Sequence, residues 1–269
     1  MSIFEAVILG IVQGLTEFLP VSSSGHLVLL QKIFNIQEPS LFFDTMLHAG
    51  TLMAVFAVLW KDIWGLIKKP FQKLTGFLII ATIPAVVTAL IFKDSIENLF
   101  LSAQFLGFCF LITAALLVSS EILSRRAKNN NDLKKAQDMN ILDAVIIGIM
   151  QAIAIPPGIS RSGATISGAL FRKLDRDFAA RFSFLMSIPA ILGAVVLHTK
   201  DLIENSAAQT NINAVAVIMG TLTSAAVGFF AIKFMLKIIR EKSLFGFAIY
   251  TGVLGVLVLV DQFVTRLVF

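Results

Sequence analysis

A chain of 269 residues in which 57% of side chains are apolar and 14% charged, with a mean hydropathy of +0.87, has too little polar surface to wrap a soluble core. Those figures exclude a water-soluble globular domain and point to an all-α integral membrane protein. The net charge of +5 is no nucleic-acid footprint, because most of the 22 basic residues fall in four short clusters between apolar runs. The single Cys109 excludes an intramolecular disulfide and a cysteine metal cluster, and reads as a small buried apolar residue.

In chain order, an apolar segment at about 3 to 18 comes first. The first basic residue is Lys32, so a charged leader region is missing and this segment is expected to stay in the protein. It runs into GLTEFLPVSSSGHL (14 to 27), which carries a carboxylate, a helix-breaking proline, three consecutive hydroxyls and a histidine. Such a polar, non-helical stretch at membrane depth is tolerated only where protein buries it or where it lines a wet cavity. An ionisable residue there costs roughly 2.5 to 3.5 kcal/mol at a helix centre, so it marks a functional position.

Apolar runs long enough to span then recur at about 42 to 60, 76 to 92, 101 to 123, 179 to 198, 213 to 236 and 244 to 265, which predicts six full spans. The basic clusters lie at 61 to 73, 125 to 135, 172 to 181 and 233 to 242, whereas the connections at 93 to 101 and 198 to 213 hold only Lys93 and Lys200 between them. The positive-inside rule puts the first set in the cytoplasm and the second outside.

The chain also repeats itself. FEAVILGIVQGLTEFLPVSSSGHLV (4 to 28) lies over LDAVIIGIMQAIAIPPGISRSGATI (142 to 166) without a gap, with nine identities that include Gln13/Gln151, Ser22/Ser160, Ser24/Ser162 and Gly25/Gly163. At a shift of one more residue, Phe43 meets Phe182, Thr82 meets Thr221 and Gly107-Phe108 meets Gly246-Phe247. Each copy reads as a pair of short helices broken at a Pro/Ser/Gly loop, followed by three spans. The arms, about 3 to 18 with 24 to 34 and 141 to 154 with 162 to 171, are short for crossings and are expected to form re-entrant hairpins. Three crossings per copy is odd, so the second copy is expected upside down relative to the first. The expected organisation is one membrane domain of about ten helices: repeat one 1 to 125, a basic cytoplasmic connection at about 125 to 140, and repeat two 139 to 269. Inverted repeats with interrupted helices usually bound a substrate site where their tips meet.

The two tips carry different chemistry. In the first, Ser22, Ser24 and Gly25 precede a helix, where they cap it and leave amides free to hold an anion. An ordinary serine cap would explain that much, but not Glu17 and His26 framing the loop. A carboxylate and an imidazole beside bound phosphate suit acid–base work or activation of a hydroxyl such as Ser23. In the second tip, PPGISRSGAT (156 to 165), Arg161 stands at a helix N-terminus where the dipole disfavours a cation, which suggests an anionic partner. Snorkelling to an interface is the milder alternative, yet Ser160, Ser162 and Gly163 make a cradle around it and not a membrane rim. One tip holding acid, base and nucleophile and the other holding a charge clamp suits phosphoryl transfer, which is mainly positioning and electrostatics.

These residues resemble the undecaprenyl-diphosphate phosphatase family, also called the bacitracin-resistance family. GLTEFLPVSSSGHL (14 to 27), FDTMLHAGTLMAV (43 to 55) and PGISRSGAT (157 to 165) occur in the family's order, and the repeat covers nearly the whole chain. The resemblance implies hydrolysis of undecaprenyl diphosphate to the monophosphate and phosphate, which recycles the lipid carrier for cell-wall synthesis and confers bacitracin resistance. It implies an active site opening to the outer face of a bacterial plasma membrane, and a divalent cation, Mg or Ca. It makes Glu17 a catalytic acid/base or metal contact, His26 catalytic, Ser23 a candidate nucleophile and Arg161 the phosphate ligand. The family's acidic pair sits four residues apart; here the first of the two is Gln13, which leaves one carboxylate.

Other polar residues support or stand apart from the site. Asp44 and His48 share a helix face and either support the tips or pair with each other. Glu5 and Asp143 are expected in first helical turns, Gln13 and Gln151 in interhelical hydrogen bonds, and Glu121 in a surface pair with Arg125. The expected partners are a polyprenyl diphosphate lipid and the bilayer, with no nucleic acid; the oligomeric state is left open, a homodimer included. A lipid flippase or other carrier is the competing reading, on architecture alone.

Overall fold

The computed structural model describes residues 1 to 36, 41 to 204 and 213 to 269, with the backbone only for Leu41 and for 198 to 204. The described residues form twelve α-helices and no strand beyond one isolated bridge, Lys134 to Leu174. Of the two connections expected outside, 198 to 213 lies partly beyond the described residues.

Helix α1 (Ile3–Thr16) starts in a capping box, Ser2 with Glu5, and ends as the chain turns toward Pro20. Its repeat partner α8 (Ile141–Ile153) starts in the equivalent box, Asn140 with Asp143, and ends before Pro156-Pro157. Each is followed by a short helix with a serine cap: α2 (Ser23–Ile33) on Ser22 and α9 (Arg161–Phe171) on Ser160. These are the two predicted hairpins. The remaining helices are α3 (Leu41–Val58), α4 (Trp60–Lys68), α5 (Lys73–Ile91), α6 (Lys93–Ser102), α7 (Leu106–Asn129), α10 (Arg176–Glu204), α11 (Ala214–Glu241) and α12 (Phe245–Val260).

Five helices are long and apolar enough to cross a bilayer, and a sixth crossing is reached if α3 and α4 count as one span bent by 79° at their junction. The protein is a multi-pass membrane protein. The helices outnumber the expected ten because α4 and α6 form in stretches read as connections between the apolar runs, 61 to 73 and 93 to 101. In α4, Trp60 and Trp64 stack at 5.5 Å and Lys68 lies 5.4 Å over the Trp64 ring, the aromatic and basic mixture of a membrane–water boundary.

Packing exchanges the two copies. Helix α1 lies on α11 and α8 lies on α5, while α3 contacts α11, α10 contacts α5, and α7 pairs with α12. Close approach is enforced by small residues. A Cβ added to Gly10 would stand 2.5 Å from the Gly220 carbonyl oxygen, and one added to Gly148 would stand 2.5 Å from that of Ala81. Gly10/Gly148 and Ala81/Gly220 are repeat equivalents, so this is one contact seen from either copy. A buried core around Phe18, Ile147, Phe182 and Phe184 sits behind the tips, with Phe18 and Phe184 edge to face at 5.3 Å.

The basic clusters meet at one end of the bundle through ion pairs. Arg181 bonds Asp62 (2.9 Å), Arg240 bonds Asp177 (2.7 Å), Arg172 and Lys134 share Asp143 (2.7 and 3.0 Å), and Lys173 pairs with Asp132. Glu121 corrects one expectation. It is buried at 1% exposure and holds Arg125 (2.7 Å), Arg176 (2.8 Å) and the Leu244 amide (3.1 Å), so it is an internal tie between α7, α10 and α12. The (i, i+4) spacing to Arg125 gave a surface pair because Arg176 comes from another copy of the repeat.

Candidate active site

The tips touch directly, and the serines that cap their helices make the joint. Ser22 Oγ accepts from the Gly25 amide of its own helix (3.3 Å) and from the Gly158 amide of the other tip (3.1 Å). Ser162 Oγ donates to the Leu19 carbonyl across the same joint (3.0 Å), while Ser160 Oγ caps the Gly163 amide (3.0 Å) and lies 3.2 Å from Ser162 Oγ. Ser24 Oγ stands 3.4 Å from Ser22 Oγ. Ser22 has φ +71° and ψ +92°, a conformation that costs a non-glycine residue of order 1 to 3 kcal/mol and clusters at functional loops. Gly25 has no room for a side chain: a Cβ there would be 2.7 Å from Phe110 and 2.9 Å from the Gly158 Cα.

Glu17 is the hub. Buried at 6% exposure, its carboxylate receives Arg161 Nη2 on Oε1 at 2.5 Å, and on Oε2 it receives Ser23 Oγ at 2.6 Å and Gln13 Nε2 at 2.9 Å. His48 Nδ1 lies 3.1 Å from the same Oε2. A carboxylate accepts only, so each of these neighbours donates. Arg161 is steadied by a second bond from Nη1 to the Ser183 carbonyl at 3.0 Å, which aims its fork at the joint. The guanidinium of one repeat therefore meets the carboxylate of the other. The imidazole beside that pair, however, is His48 and not His26.

Gln13 has one unmatched atom. Its Nε2 is 2.7 Å from His48 Nδ1, and its buried Oε1 has no partner among the described residues. Turning the amide over would match His48 but set two oxygens against each other at Glu17. Asp44 accepts from Gln31 Nε2 at 2.7 Å, and among the described residues no hydrogen bond or ion pair joins it to His48, whose Nδ1 faces Glu17. Gln151, the repeat partner of Gln13, has both amide atoms buried with no partner among the described residues, so the expected interhelical bond is not found there.

His26 stands on the other side of the loop. Its Nδ1 lies 2.7 Å from the Ser22 carbonyl, which only accepts, so Nδ1 carries the proton. In the neutral ring Nε2 then accepts from the Tyr250 hydroxyl at 2.7 Å. The two rings are nearly parallel (8°) at 5.7 Å, and Phe110 meets the imidazole edge on at 5.5 Å.

Sequence reasoning missed four partners. Ser183, which orients Arg161, is the repeat equivalent of Asp44 and was reachable through the shift that pairs Phe43 with Phe182. Thr113 holds the second tip by donating to the Gly158 carbonyl (2.9 Å) and accepting from the Ser160 amide (3.0 Å). Gln31 carried no signal, and the one mark on Tyr250 is that it is the chain's sole tyrosine.

The donor set bears on a cation. Among the described residues no three His, Cys, Asp or Glu side chains gather in a metal-binding group. The oxygens at hand are those of Glu17, already bonded, and the free Gln13 Oε1. That suits a hard cation that keeps waters and binds chiefly through substrate phosphates, not an all-protein cage.

The chain matches the family model described as bacitracin resistance protein BacA over residues 6–257. It is 48% identical over 262 residues to a protein named undecaprenyl-diphosphatase from Carboxydothermus hydrogenoformans, covering 97% of this chain and 98% of that one. It is 48% identical over 263 residues to undecaprenyl-diphosphatase 4 of Bacillus cereus (98% of each) and 42% identical over 262 residues to undecaprenyl-diphosphatase of Halothermothrix orenii (97% and 98%). With the match running through both tips and nearly all of both repeats, the chain belongs to the bacitracin resistance protein BacA family.

Proposed function

We propose that this protein is an undecaprenyl-diphosphatase, hydrolysing undecaprenyl diphosphate to undecaprenyl phosphate and inorganic phosphate and so returning the lipid carrier to cell-wall synthesis. Full-length relatives bearing that name support the activity. The observation that carries the mechanism is Glu17, bonded on one oxygen to the Ser23 hydroxyl (2.6 Å) and on the other to Arg161 (2.5 Å).

A hydroxyl attacks phosphorus only as its proton leaves, and the group that receives it must already be in hydrogen-bond reach. Glu17 is that group for Ser23. In this reading Ser23 Oγ bonds the terminal phosphorus as its proton passes to Glu17 Oε2. The bridging P–O bond breaks and undecaprenyl phosphate leaves with the electron pair. Water then attacks the phosphoserine, giving its proton to His26 Nε2, and Ser23 recovers its own proton from Glu17 as phosphate departs. Arg161 exchanges part of its bond to Glu17 for phosphate oxygens, which a guanidinium forks well. The first-turn amides of α2 and α9, both starting at the joint, add positive potential for the diphosphate. Ser22, Ser160 and Ser162 hold that geometry, and His48 with Gln13 keeps Glu17 in place. A divalent cation would be held by Glu17 and Gln13 Oε1 and would supply charge neutralisation on the diphosphate.

In this reading the charge map puts the basic end in the cytoplasm and inverts the second repeat on the first, and the family resemblance supports a bacterial plasma membrane with the tips open to the outer face. A carrier needs no nucleophile–base pair, so the Ser23–Glu17 bond favours hydrolysis over transport. The test is phosphate release by purified protein from farnesyl or undecaprenyl diphosphate. Wild type should release phosphate and Glu17→Ala, Ser23→Ala and Arg161→Ala should not. Full turnover by Glu17→Ala would overturn the mechanism, and none by wild type the function.

A further inference from the structure

His26 is the one candidate catalytic group that the Glu17 cluster does not hold, and its surroundings assign it a different keeper. Two bonds fix the imidazole. The Ser22 carbonyl takes the proton on Nδ1 at 2.7 Å, and the Tyr250 hydroxyl donates to Nε2 at 2.7 Å from α12, 224 residues away in sequence. The Tyr250 ring lies nearly parallel to the imidazole (8°) with its centroid 5.7 Å away, a side-by-side placement that brings its hydroxyl to Nε2, and Phe110 meets the ring edge on at 5.5 Å. His26 is buried at 8% exposure, whereas Tyr250 is half-exposed.

We propose that Tyr250 is a positioning residue for the hydrolytic reaction, holding the unprotonated Nε2 edge of His26 in the orientation from which it accepts a proton. The inference rests on the reading of His26 as the base for water. A hydroxyl that donates to Nε2 occupies the same lone pair that a reacting water uses, so it marks the direction of proton acceptance until water takes its place. Ser22 alone leaves that edge without a restraint. Its carbonyl, on the residue that caps α2, fixes only Nδ1. Helix α12 thus serves the reaction through one side chain, and through His26 alone.

The experiment is a double-mutant cycle on phosphate release from farnesyl diphosphate by the full-length protein, with Tyr250→Phe, His26→Ala and the pair. Phenylalanine keeps the ring and removes only the hydroxyl. Tyr250→Phe should lower kcat on the order of tenfold with KM unchanged, short of the ~10² to 10⁴ lost with a base itself. Adding it to His26→Ala should change the residual rate by less than about twofold, because the hydroxyl then has nothing to hold. Nitrogen-15 spectra of histidine-labelled protein, with His26 assigned by its loss in His26→Ala, should show its Nε2 signal moving in Tyr250→Phe while that of His48 stays. Wild-type kcat in Tyr250→Phe, an equal fall in both backgrounds, or full activity in His26→Ala would each overturn the inference. Absence of phosphate release by wild type would instead strike the hydrolytic function, and the spectra separate the two cases.

Discussion

Replacing Arg161 by lysine keeps the charge and removes the fork, which isolates what the guanidinium does. Arg161 spans two fixed acceptors, Glu17 Oε1 at 2.5 Å through Nη2 and the Ser183 carbonyl at 3.0 Å through Nη1. A single ammonium reaches one of them. One hydrogen bond to a charged group contributes about 1.5 to 3 kcal/mol, and each ~1.4 kcal/mol is a factor of ten in rate. If the same fork grips the diphosphate in the transition state, Arg161→Lys should lower kcat/KM roughly 10- to 150-fold. Arg161→Ala should do more. It removes the charge that stabilises the phosphoryl group, worth ~10³ to 10⁵ for a catalytic arginine, and leaves buried Glu17 without its counter-ion, at about 3 to 5 kcal/mol of stability. The assay is initial-rate phosphate release from farnesyl diphosphate, with thermal unfolding of the same detergent preparation. A lysine variant within about twofold of wild type would show that bidentate grip plays no part.

Neighbouring serines should separate chemistry from architecture. Ser23→Ala should reduce phosphate release to background while leaving the joint between the tips in place, since among the described residues Ser23 Oγ bonds Glu17 and no group of the other tip. Ser22→Ala, which frees the Gly25 and Gly158 amides, should cost about 1 to 2 kcal/mol in denaturation. Gly25→Ala should separate the tips, because its Cβ would fall 2.9 Å from backbone at Gly158; overpacking of about 1 to 3 kcal/mol and loss of activity are expected, and an active, equally stable variant would contradict the joint as described. For topology, Lys69→Cys in a Cys109→Ala background should react with an impermeant thiol reagent only in permeabilised cells. Labelling in intact cells would reverse the orientation.

The tips were legible in the sequence because each sets Pro, Ser and Gly between apolar helices, and because Arg161 stands where a helix dipole opposes it. What the pattern could not give was the choice of partner. Asp44 and His48 lie one turn apart, and only the packing of α3 against α1 sends His48 to Glu17 and Asp44 to Gln31. Glu121 looked like half of a local pair because spacing along one helix is visible and Arg176, 55 residues on, is not. The apolar run at 42 to 60 ends at the junction of α3 and α4, but hydropathy does not register direction and gave no sign that the chain turns 79° there into a further helix. Tyr250 looks like one more residue of an apolar helix until α12 is laid against α2.

The most direct test of the mechanism is to mix the protein with farnesyl diphosphate, quench within a turnover, and map bound phosphate by mass spectrometry. Phosphoserine at position 23, absent from Ser23→Ala and diminished in Glu17→Gln, is the expected result. Phosphate on a histidine, or steady turnover with no covalent adduct at any time, would contradict attack by Ser23.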